Sequence, residues 1–258
     1  MNDVNLIELV PLAALMLFLL LQTLSPRRPL AKSGRRRGFH NVMLFALNSV
    51  LLKVFIPLTL VSVSHWSADH SIGIFNWFVL PNWLATVACL LLLDLSVYGQ
   101  HVATHHFAVL WRIHKVHHAD TDMDVTTAVR FHPLELLLSL AYKSAVVLTL
   151  GAPVAVVLGF ELLLLLGSGF SHSNIKLSAS LDRTLRWAIV TPDTHRSHHS
   201  IISEEQNTNY GFFLIWWDKA FGTYTDIPIW GHQSMPIGLN RDDDQCDRVD
   251  QMLRVPFR

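Results

Sequence analysis

The chain has 258 residues, 51% of them hydrophobic, and a mean hydropathy of +0.33. This composition is unusual for a soluble protein and favours the membrane class. The formal net charge is zero and the pI is about 7.3, so the clustered positive charge of a nucleic-acid-binding protein is missing and nucleic acid is excluded as a partner. The two cysteines, Cys89 and Cys246, lack the CxxC spacing of a zinc, iron–sulfur or dithiol site.

The first apolar run, Val4–Leu24, is about long enough to cross a bilayer core. A signal peptide is the competing interpretation, but no basic residue precedes the run and no small-residue cleavage site follows it. A basic linker comes next, with six cationic residues in eleven positions: Arg27, Arg28, Lys32, Arg35, Arg36 and Arg37. The positive-inside rule predicts that this linker is cytoplasmic. Its simplest interpretation is a topology signal that binds nothing, and contact with anionic lipid is the alternative.

Two further spans are predicted over Val42–Ser64 and Trp77–Val97, joined by an external loop over His65–Asn76. The earlier span is expected to pack inside the bundle, because it is interrupted by Asn48, Lys53 and Pro57.

Two shorter apolar runs, Pro133–Leu150 and Pro153–Leu166, predict a helical hairpin that enters the membrane and returns. An acidic run, Asp242 to Asp244, predicts a solvated tail. The predicted fold is therefore all-α: a polytopic membrane bundle of three spans plus a hairpin, with a cytoplasmic helical cap that carries the histidines.

Histidine is the outlier of the composition, with 15 copies, most of them between His101 and His199. Eight of them form three motifs: His101 and His105 in an HxxxH pattern, then His114, His117 and His118, and later His195, His198 and His199, both in HxxHH patterns. On a helix, positions i, i+3 and i+4 share one face, so each motif can direct its imidazoles to a metal. Eight imidazoles exceed the four ligands of one tetrahedral zinc, which predicts two metal ions.

Ligand type alone does not choose the metal, because imidazole suits zinc, copper, iron and nickel. The zinc-protease motif HExxH is absent, and a haem is disfavoured because the motifs lie at or beyond the membrane boundary. The residues by themselves leave a non-haem oxygenase, a di-zinc membrane hydrolase and a non-enzymatic metal-binding or transport protein open. A transporter would need polar residues inside the spans, and only Lys53, Asp94, Lys143 and Glu161 are available.

The ordered set of motifs resembles the fatty acid hydroxylase and sterol desaturase superfamily of membrane di-iron oxygenases. The resemblance covers about Leu90 to Tyr224. Its motifs are DLSVYGQHVATH from Asp94, WRIHKVHH from Trp111, RFHPLE from Arg130, FSHSN from Phe170, TPDTHRSHH from Thr191, Asn209-Tyr210-Gly211, and WDKAFGT from Trp217.

The resemblance implies a ligand set of nine histidines for two iron ions: His101, His105, His114, His117, His118, His172, His195, His198 and His199. His172 is the ninth because the family supplies further histidine from this part of the fold; where some members have an additional ligand, this chain has Ser168. One coordination position is therefore left for water or another side chain. His132 is a candidate for it, although a histidine at a helix start before Pro133 is as easily structural.

Several polar residues are candidates for orienting the ligands from behind. Asp94 lies seven residues before His101 on the same helix face, so it is expected to accept the second N–H of a ligating imidazole; an ion pair with Lys53 is the alternative. Weaker candidates for the same role are Glu135, Asn174, Asp193, Asn209 and Asp218.

The resemblance further implies an enzyme that uses dioxygen to hydroxylate or desaturate a lipid, whether sterol, fatty acyl or isoprenoid. Electrons must come from a separate ferredoxin, cytochrome or reductase, because the sequence has no CxxCH, no GxGxxG and no iron–sulfur cysteine pattern. The expected organisation is residues 1–75 as N-terminal spans with the basic linker, 76–226 as the catalytic domain, and 227–258 as a polar C-terminal tail.

Overall fold

The structure is a computed structural model that describes residues 6–30, 34–56, 58–240 and 246–258. Within these ranges the chain is helical and contains no strand, so the predicted all-α class is confirmed. The first eight helices are α1 (Leu6–Leu24), α2 (Gly34–Phe55), α3 (Leu60–Asp69), α4 (Ile74–Trp77), α5 (Asn82–His106), α6 (Ala108–His118), α7 (Pro133–Leu150) and α8 (Val154–Ser171). All of them except α4 have ten residues or more. Shorter helices follow: α9 (Ala179–Leu185), α10 (Pro192–His198), α11 (Ser203–Gln206), α12 (Trp216–Phe221), α13 (Gly231–Ser234) and α14 (Val249–Met252).

Four segments are long and apolar enough to cross a membrane: residues 34–77, α5, α7 and α8. The 18 residues of α7 and of α8 each rise about 27 Å, close to the hydrocarbon thickness of a bilayer. The helix α1 adds a shorter apolar stretch, Leu12–Leu24, which packs along α8. Residues 4 and 5 of the first predicted span lie outside the described residues.

The second predicted span, Val42–Ser64, is not one helix. Instead α2 ends at Phe55 and α3 begins at Leu60, where Thr59 and Ser62 form a reciprocal capping box. A proline at position 57 disfavours a continuous helix, and its own placement lies outside the described residues.

The predicted external loop over His65–Asn76 is also largely wrong, because α3 continues to Asp69 and α4 follows. The turn between them packs on the turn of the α7–α8 hairpin: a Cβ built on Gly73 would lie 2.1 Å from the Gly151 nitrogen. Both glycines have positive φ, +101° and +65°, a conformation that side chains disfavour. The hairpin therefore reaches the same depth as the α3–α5 connection, at the end of the bundle opposite the histidines.

The third predicted span begins later and ends later than expected. Trp77 belongs to α4, and α5 starts at Asn82, directly after Pro81. It then continues to His106, so the apolar part of the span and the HxxxH motif share one uninterrupted helix.

The basic linker does more than signal topology. Arg27 donates to the Asp193 carboxylate at 3.0 Å, and Arg28 donates to the Met235 carbonyl at 2.7 Å. Both partners belong to the cap, which we define as residues 108–129, 172–240 and 246–258. Lys32 lies outside the described residues.

A third linker arginine, Arg37, is buried in the first turns of α2. Its guanidinium donates to Asp120 at 2.5 Å and also contacts the Asp124 carboxylate, while Asn41 one turn later donates to Asp120 at 3.1 Å. The helix therefore begins at Gly34, eight residues before the predicted start, because its first turns bind the cap.

The end of the chain returns to α6. Arg130 contacts the Cys246 carbonyl, and Arg112 donates to the Pro256 carbonyl at 2.9 Å. Met252 and Val255 are buried against α2 and α6, so residues 246–258 are part of the cap. The acidic run Asp242 to Asp244 lies outside the described residues, and its predicted solvation stays a prediction.

We predict that Arg37→Met lowers the free energy of unfolding by about 3 to 5 kcal/mol, because it leaves two buried carboxylates without their partner. The measurement is the thermal unfolding midpoint of the purified protein in detergent. Arg36→Met is the matched control, since Arg36 is exposed on the same turn. Equal midpoints for the two variants would contradict the buried role of Arg37.

Candidate metal centre

The nine histidines of the predicted ligand set lie together in two groups. The five-histidine group consists of His101, His105, His114, His118 and His198, and the four-histidine group of His117, His172, His195 and His199. Within each group, one ring nitrogen per residue lies within 4.8 Å of all the others. All nine are buried except His105, which is half-buried. The groups adjoin each other, because the rings of His118 and His199 stack at 4.5 Å.

Each HxxHH motif is divided between the two groups. On α6, His114 and His118 belong to the five-histidine group, whereas His117 belongs to the other. At α10 the pattern is inverted, with His195 and His199 in the four-histidine group and His198 in the five-histidine group. The i and i+4 positions thus share one group, and the i+3 position crosses to the next.

Backbone carbonyls orient three of the imidazoles. The Nδ1 atoms of His101 and His198 lie 2.7 Å from the carbonyls of Tyr210 and Thr208, and the Nδ1 of His172 lies 2.8 Å from the Ser168 carbonyl. A carbonyl oxygen only accepts, so each of these Nδ1 atoms carries the proton. In a neutral ring the Nε2 atom is then unprotonated and carries a free lone pair.

These three Nε2 atoms each lie close to the Nε2 atom of another histidine. The Nε2 atoms of His101 and His198 are 3.0 Å apart, and the Nε2 of His172 lies 3.0 Å from that of His117 and 3.1 Å from that of His195. Because His101 and His198 both carry their protons on Nδ1, the two Nε2 lone pairs of this pair repel each other unless a cation binds both. For a metal–nitrogen bond of about 2.1 Å, ligands at a right angle are about 3.0 Å apart and tetrahedral ligands about 3.4 Å.

Several other ring nitrogens are buried with no hydrogen-bond partner among the described residues. Within the two groups they are the Nε2 atoms of His105 and His114, the Nδ1 atoms of His117 and His195, and both ring nitrogens of His118 and His199. A buried polar atom without a partner is costly, and coordination to a metal would satisfy it. The donor set therefore fits two metal ions of the kind that prefer imidazole.

Burial keeps the cap histidines in the neutral form that binds metals. It lowers the pKa of His172 to about 4 and that of His198 to about 3, although backbone carbonyls partly oppose the shift. Burial, reinforced by the neighbouring histidines, also holds the pKa of His117, His118 and His199 well below the usual range. No proton then competes with a metal ion at neutral pH.

The predicted role of Asp94 is wrong. Its carboxylate accepts from the Trp217 indole at 2.7 Å and from the Leu214 backbone N–H at 3.3 Å, and it contacts no ligand histidine among the described residues. The seven residues that separate it from His101 correspond to about 10 Å along α5, beyond hydrogen-bond reach. Lys53 is exposed and forms no ion pair with it in the described structure.

Glu135 takes that role instead. The Nδ1 of His114 lies 2.6 Å from its Oε1 atom, and Glu135 is held in the first turn of α7. The sequence ranked Glu135 below Asp94 for this role. Glu135 follows the Phe131-His132-Pro133 turn on a different helix, so its spacing from the histidines of α6 gives no sign that they meet. A carboxylate behind a ligating imidazole fixes its tautomer and raises its basicity.

Two other candidates lie away from both groups. His132 is the N-cap of α7, where its Nδ1 accepts from the Leu134 N–H at 3.2 Å. Asn174 binds the backbone of the basic linker, donating to the Arg28 carbonyl at 2.8 Å. The structure therefore brings neither residue to the metal centre.

Asn209 and Asp218 support the carbonyls that orient the ligands. Asn209 has a positive φ of 53° and donates to the Thr194 carbonyl at 3.0 Å. Asp218 accepts from the backbone N–H groups of Tyr210 and Gly211 at 2.8 and 2.9 Å, and burial raises its pKa to about 6. The carbonyls of Thr208 and Tyr210 could not be found from side-chain motifs, although the Asn209-Tyr210-Gly211 signature marks the loop.

A cavity of about 390 Å³ lies against the five-histidine group. His101, His114 and Glu135 form its metal-centre wall, and apolar side chains such as Leu164 of α8 and Phe212 line much of the rest, together with a few polar and charged side chains of α7 and α8. A volume of this size is typical of a small-molecule site.

Asp193 belongs to an ionic cluster instead of the metal centre. It binds Arg27 at 3.0 Å, contacts Arg196, and lies 3.9 Å from His232. Burial opposes ionisation of Asp193, but the two arginines outweigh it and lower its pKa. The cluster joins the basic linker to α10, which contains two of the nine histidines and ends directly before a third.

Membrane-length apolar helices and a buried centre of nine histidines define an integral membrane protein with a candidate two-metal site. The chain belongs to the fatty acid hydroxylase family, whose family model matches residues 86–223, just over half of the chain. The resemblance drawn from the motifs is therefore confirmed.

Three relatives illustrate the family. The chain is 31% identical to ornithine lipid hydroxylase of Rhizobium tropici over 148 residues, 57% of this chain and 44% of that protein. It is 31% identical to alkylglycerol monooxygenase of Homo sapiens over 132 residues, 51% of this chain and 28% of that protein. It is 27% identical to methylsterol monooxygenase 1 of Rattus norvegicus over 192 residues, 71% and 62% of the two chains. Less than two thirds of each relative is covered, and no solved structure matches significantly.

We predict that Glu135→Ala weakens metal binding by roughly 10- to 100-fold, because the His114 imidazole loses its hydrogen-bond acceptor. The measurement is the metal retained by purified protein against increasing chelator. Asp94→Asn is the control and is expected to retain wild-type affinity, since Asp94 contacts Trp217 and not a ligand. The reverse ranking of the two variants would restore the role predicted for Asp94.

A second prediction concerns acid stability. Burial lowers the pKa of His232 from 6.5 to about 4, against the attraction of Asp193. Below about pH 6.5 the unfolded chain gains a proton there that the folded chain refuses, so stability falls as the pH drops towards 4. His232→Gln should lose about 2 kcal/mol less than the wild type between pH 7 and pH 5.

The measurement is the unfolding midpoint at the two pH values. His65→Gln serves as the control, because His65 is exposed on α3 and should leave the pH dependence of the wild type unchanged. If His232→Gln and the wild type lose equal stability, the buried neutral state of His232 is refuted.

Proposed function

We propose that this protein is a membrane-bound di-iron oxidoreductase that uses dioxygen to hydroxylate or desaturate a lipid. The observation that carries the proposal is the position of the centre: His101 and His114, two of the nine converging histidines, line a cavity that extends between the membrane helices. Membership of the fatty acid hydroxylase family supports the same reaction class.

The nine histidines would hold two iron ions, one in the five-histidine group and one in the four-histidine group. Zinc is disfavoured because structural zinc takes four tetrahedral ligands and catalytic zinc three, whereas five imidazoles converge in one group here.

Iron bound at this centre would supply the activation of dioxygen that removal of hydrogen from a C–H bond requires. The protein supplies the rest. His114 is held by Glu135, and His101 by the Tyr210 carbonyl, so the wall that faces the cavity is rigid. The apolar side chains opposite, Leu164 and Phe212 among them, exclude water and bind the hydrocarbon of the substrate.

We further propose that the histidine end of the bundle is cytoplasmic. The basic linker supports this orientation, because Arg27, Arg28 and Arg37 bind the same cap that carries the ligands, and positive charge accumulates on the cytoplasmic side. A separate ferredoxin, cytochrome or reductase would deliver electrons there. Residues 76–226 would form the catalytic unit, with 1–75 as its membrane anchor and 227–258 as the closing part of the cap.

The test begins with the metal content and oxygen consumption of purified protein. We expect two iron ions per chain and reductant-dependent oxygen uptake. In cells that express the gene, a lipid should gain one oxygen atom or lose two hydrogen atoms. Two zinc ions with no oxygen uptake would favour a hydrolase, and bound metal with no change in any lipid would favour a non-enzymatic protein.

His117→Ala tests the ligand assignment. We expect loss of one of the two metal ions and a fall in lipid oxidation to the background level, because the four-histidine group keeps only three ligands. His106→Ala is the matched control, since His106 is exposed on α5 beside the motif and belongs to neither group. Normal turnover by His117→Ala would refute its ligand role.

A further inference from the structure

Two charged side chains in the membrane interior take no part in the proposed chemistry. Lys143 lies on α7 and Glu161 on α8, and both line the cavity that borders His101 and His114. Ionisable residues within membrane spans are costly and are usually kept for a function. These two residues therefore require an explanation that the metal centre does not provide.

The two charges lie at the same depth. Lys143 is ten residues after Pro133, where α7 begins, and Glu161 is ten residues before Ser171, where α8 ends. Ten residues correspond to about 15 Å along a helix, so both lie near the middle of the bundle. Measured from Glu135 at the metal centre, Lys143 is about 12 Å further along α7. The cavity thus has a metal end and a charged end.

The pair attracts without touching. Lys143 and Glu161 interact electrostatically, yet neither forms a hydrogen bond or an ion pair within 4.0 Å with any residue that the structure describes. Lys143 is half-buried and Glu161 exposed, and both residues line the cavity between the helices. A closed ion pair that only joins α7 to α8 would bring the two ends into contact, and this arrangement does not.

We propose that Lys143 and Glu161 bind a hydroxyl group of the lipid substrate, remote from the carbon that is oxidised. A hydroxyl fits the gap because its oxygen accepts from the Lys143 ammonium while its hydrogen is donated to the Glu161 carboxylate. A carboxylate ligand would be repelled by Glu161, and an amine by Lys143. The word substrate rests on the proposed function, whereas the hydroxyl site itself does not.

The site would determine which carbon reaches the metal centre. A lipid whose hydroxyl is held at the charged end can present only carbons about 12 Å away to His101 and His114. Positioning by a remote group is an effective way to select one C–H bond among many similar ones. The substrate class that follows is a hydroxyl-bearing lipid in which the hydroxyl and the oxidised carbon are separated by an apolar segment.

Equilibrium binding of radiolabelled probes to the full-length protein in detergent tests the proposal without any turnover. The probes are dodecan-1-ol, dodecane, dodecanoate and dodecylamine, which share a chain and differ in the end group. The wild type is expected to bind the alcohol roughly tenfold or more tightly than the alkane, and more tightly than either charged probe, because its hydrogen bonds are to charged groups. No preference for the alcohol would overturn the proposal.

Two double variants locate the preference. Lys143→Met with Glu161→Leu removes both polar ends without leaving an unpaired charge, and should bind alcohol and alkane equally. Lys143→Glu with Glu161→Lys exchanges the charges and should keep most of the preference. Lys53→Met is the control, since Lys53 lies in a span but outside this cavity. A preference that survives the first double variant would refute the site.

The outcomes separate this inference from the proposed function. A protein that binds iron and oxidises lipid, but shows no preference for the alcohol, would retain the function and lose the hydroxyl site. A protein without iron or oxygen uptake that still prefers the alcohol, in a manner that depends on Lys143 and Glu161, would lose the function and retain the site.

Discussion

The convergence of unprotonated imidazole nitrogens is the interaction on which the rest of the structure depends. The Nδ1–H groups of His101 and His198 each donate a hydrogen bond to a backbone carbonyl, which leaves both Nε2 atoms unprotonated. These two Nε2 atoms lie 3.0 Å apart. The carbonyls thereby hold two lone pairs in a repulsive arrangement, and a cation bound between them would remove the repulsion. Burial adds to the effect, because it prevents the rings from relieving the repulsion by protonation. The orientation of these two rings therefore depends on backbone carbonyls as much as on the helices that carry them.

This constraint explains why the loop behind α10 is so heavily bonded. A carbonyl can hold an imidazole only if its own peptide is fixed. Asp218 fixes the peptide between Tyr210 and Gly211 by accepting from the Gly211 N–H, and Asn209 fixes the turn. The same logic applies to Glu135, which stands behind His114 in place of a carbonyl. Four ligands are thus oriented from behind by partners drawn from three different parts of the chain.

The sequence identified the histidines that converge in the structure more completely than it identified the groups that hydrogen-bond to them. Spacing within a helix is a local property, so the HxxxH and HxxHH motifs could be identified without coordinates. The division of His117 and His118 between two groups could not, because it depends on how α6 and α10 approach each other. The role predicted for Asp94 was wrong because only the helix face was considered. Asp94 shares the face of His101, but the helical rise separates the two residues by about 10 Å, which is too far for a hydrogen bond.

The membrane part shows the same contrast. Apolar runs predicted the helices of the bundle, yet the ends were misjudged wherever a helix continues into the cap, as α2 does through Arg37 and α5 does through His101. Hydropathy marks where a chain leaves lipid and not where its helix ends. Because α5 runs unbroken from the bilayer to the five-histidine group, and Glu135 and Lys143 lie on one helix, the cavity is bounded by rigid elements from its charged end to its metal end. The distance between the charged end and the metal end is therefore fixed by the rise of the helices and does not vary with the motion of loops. A lipid held at the charged end would present the same carbons to the metal end each time it binds.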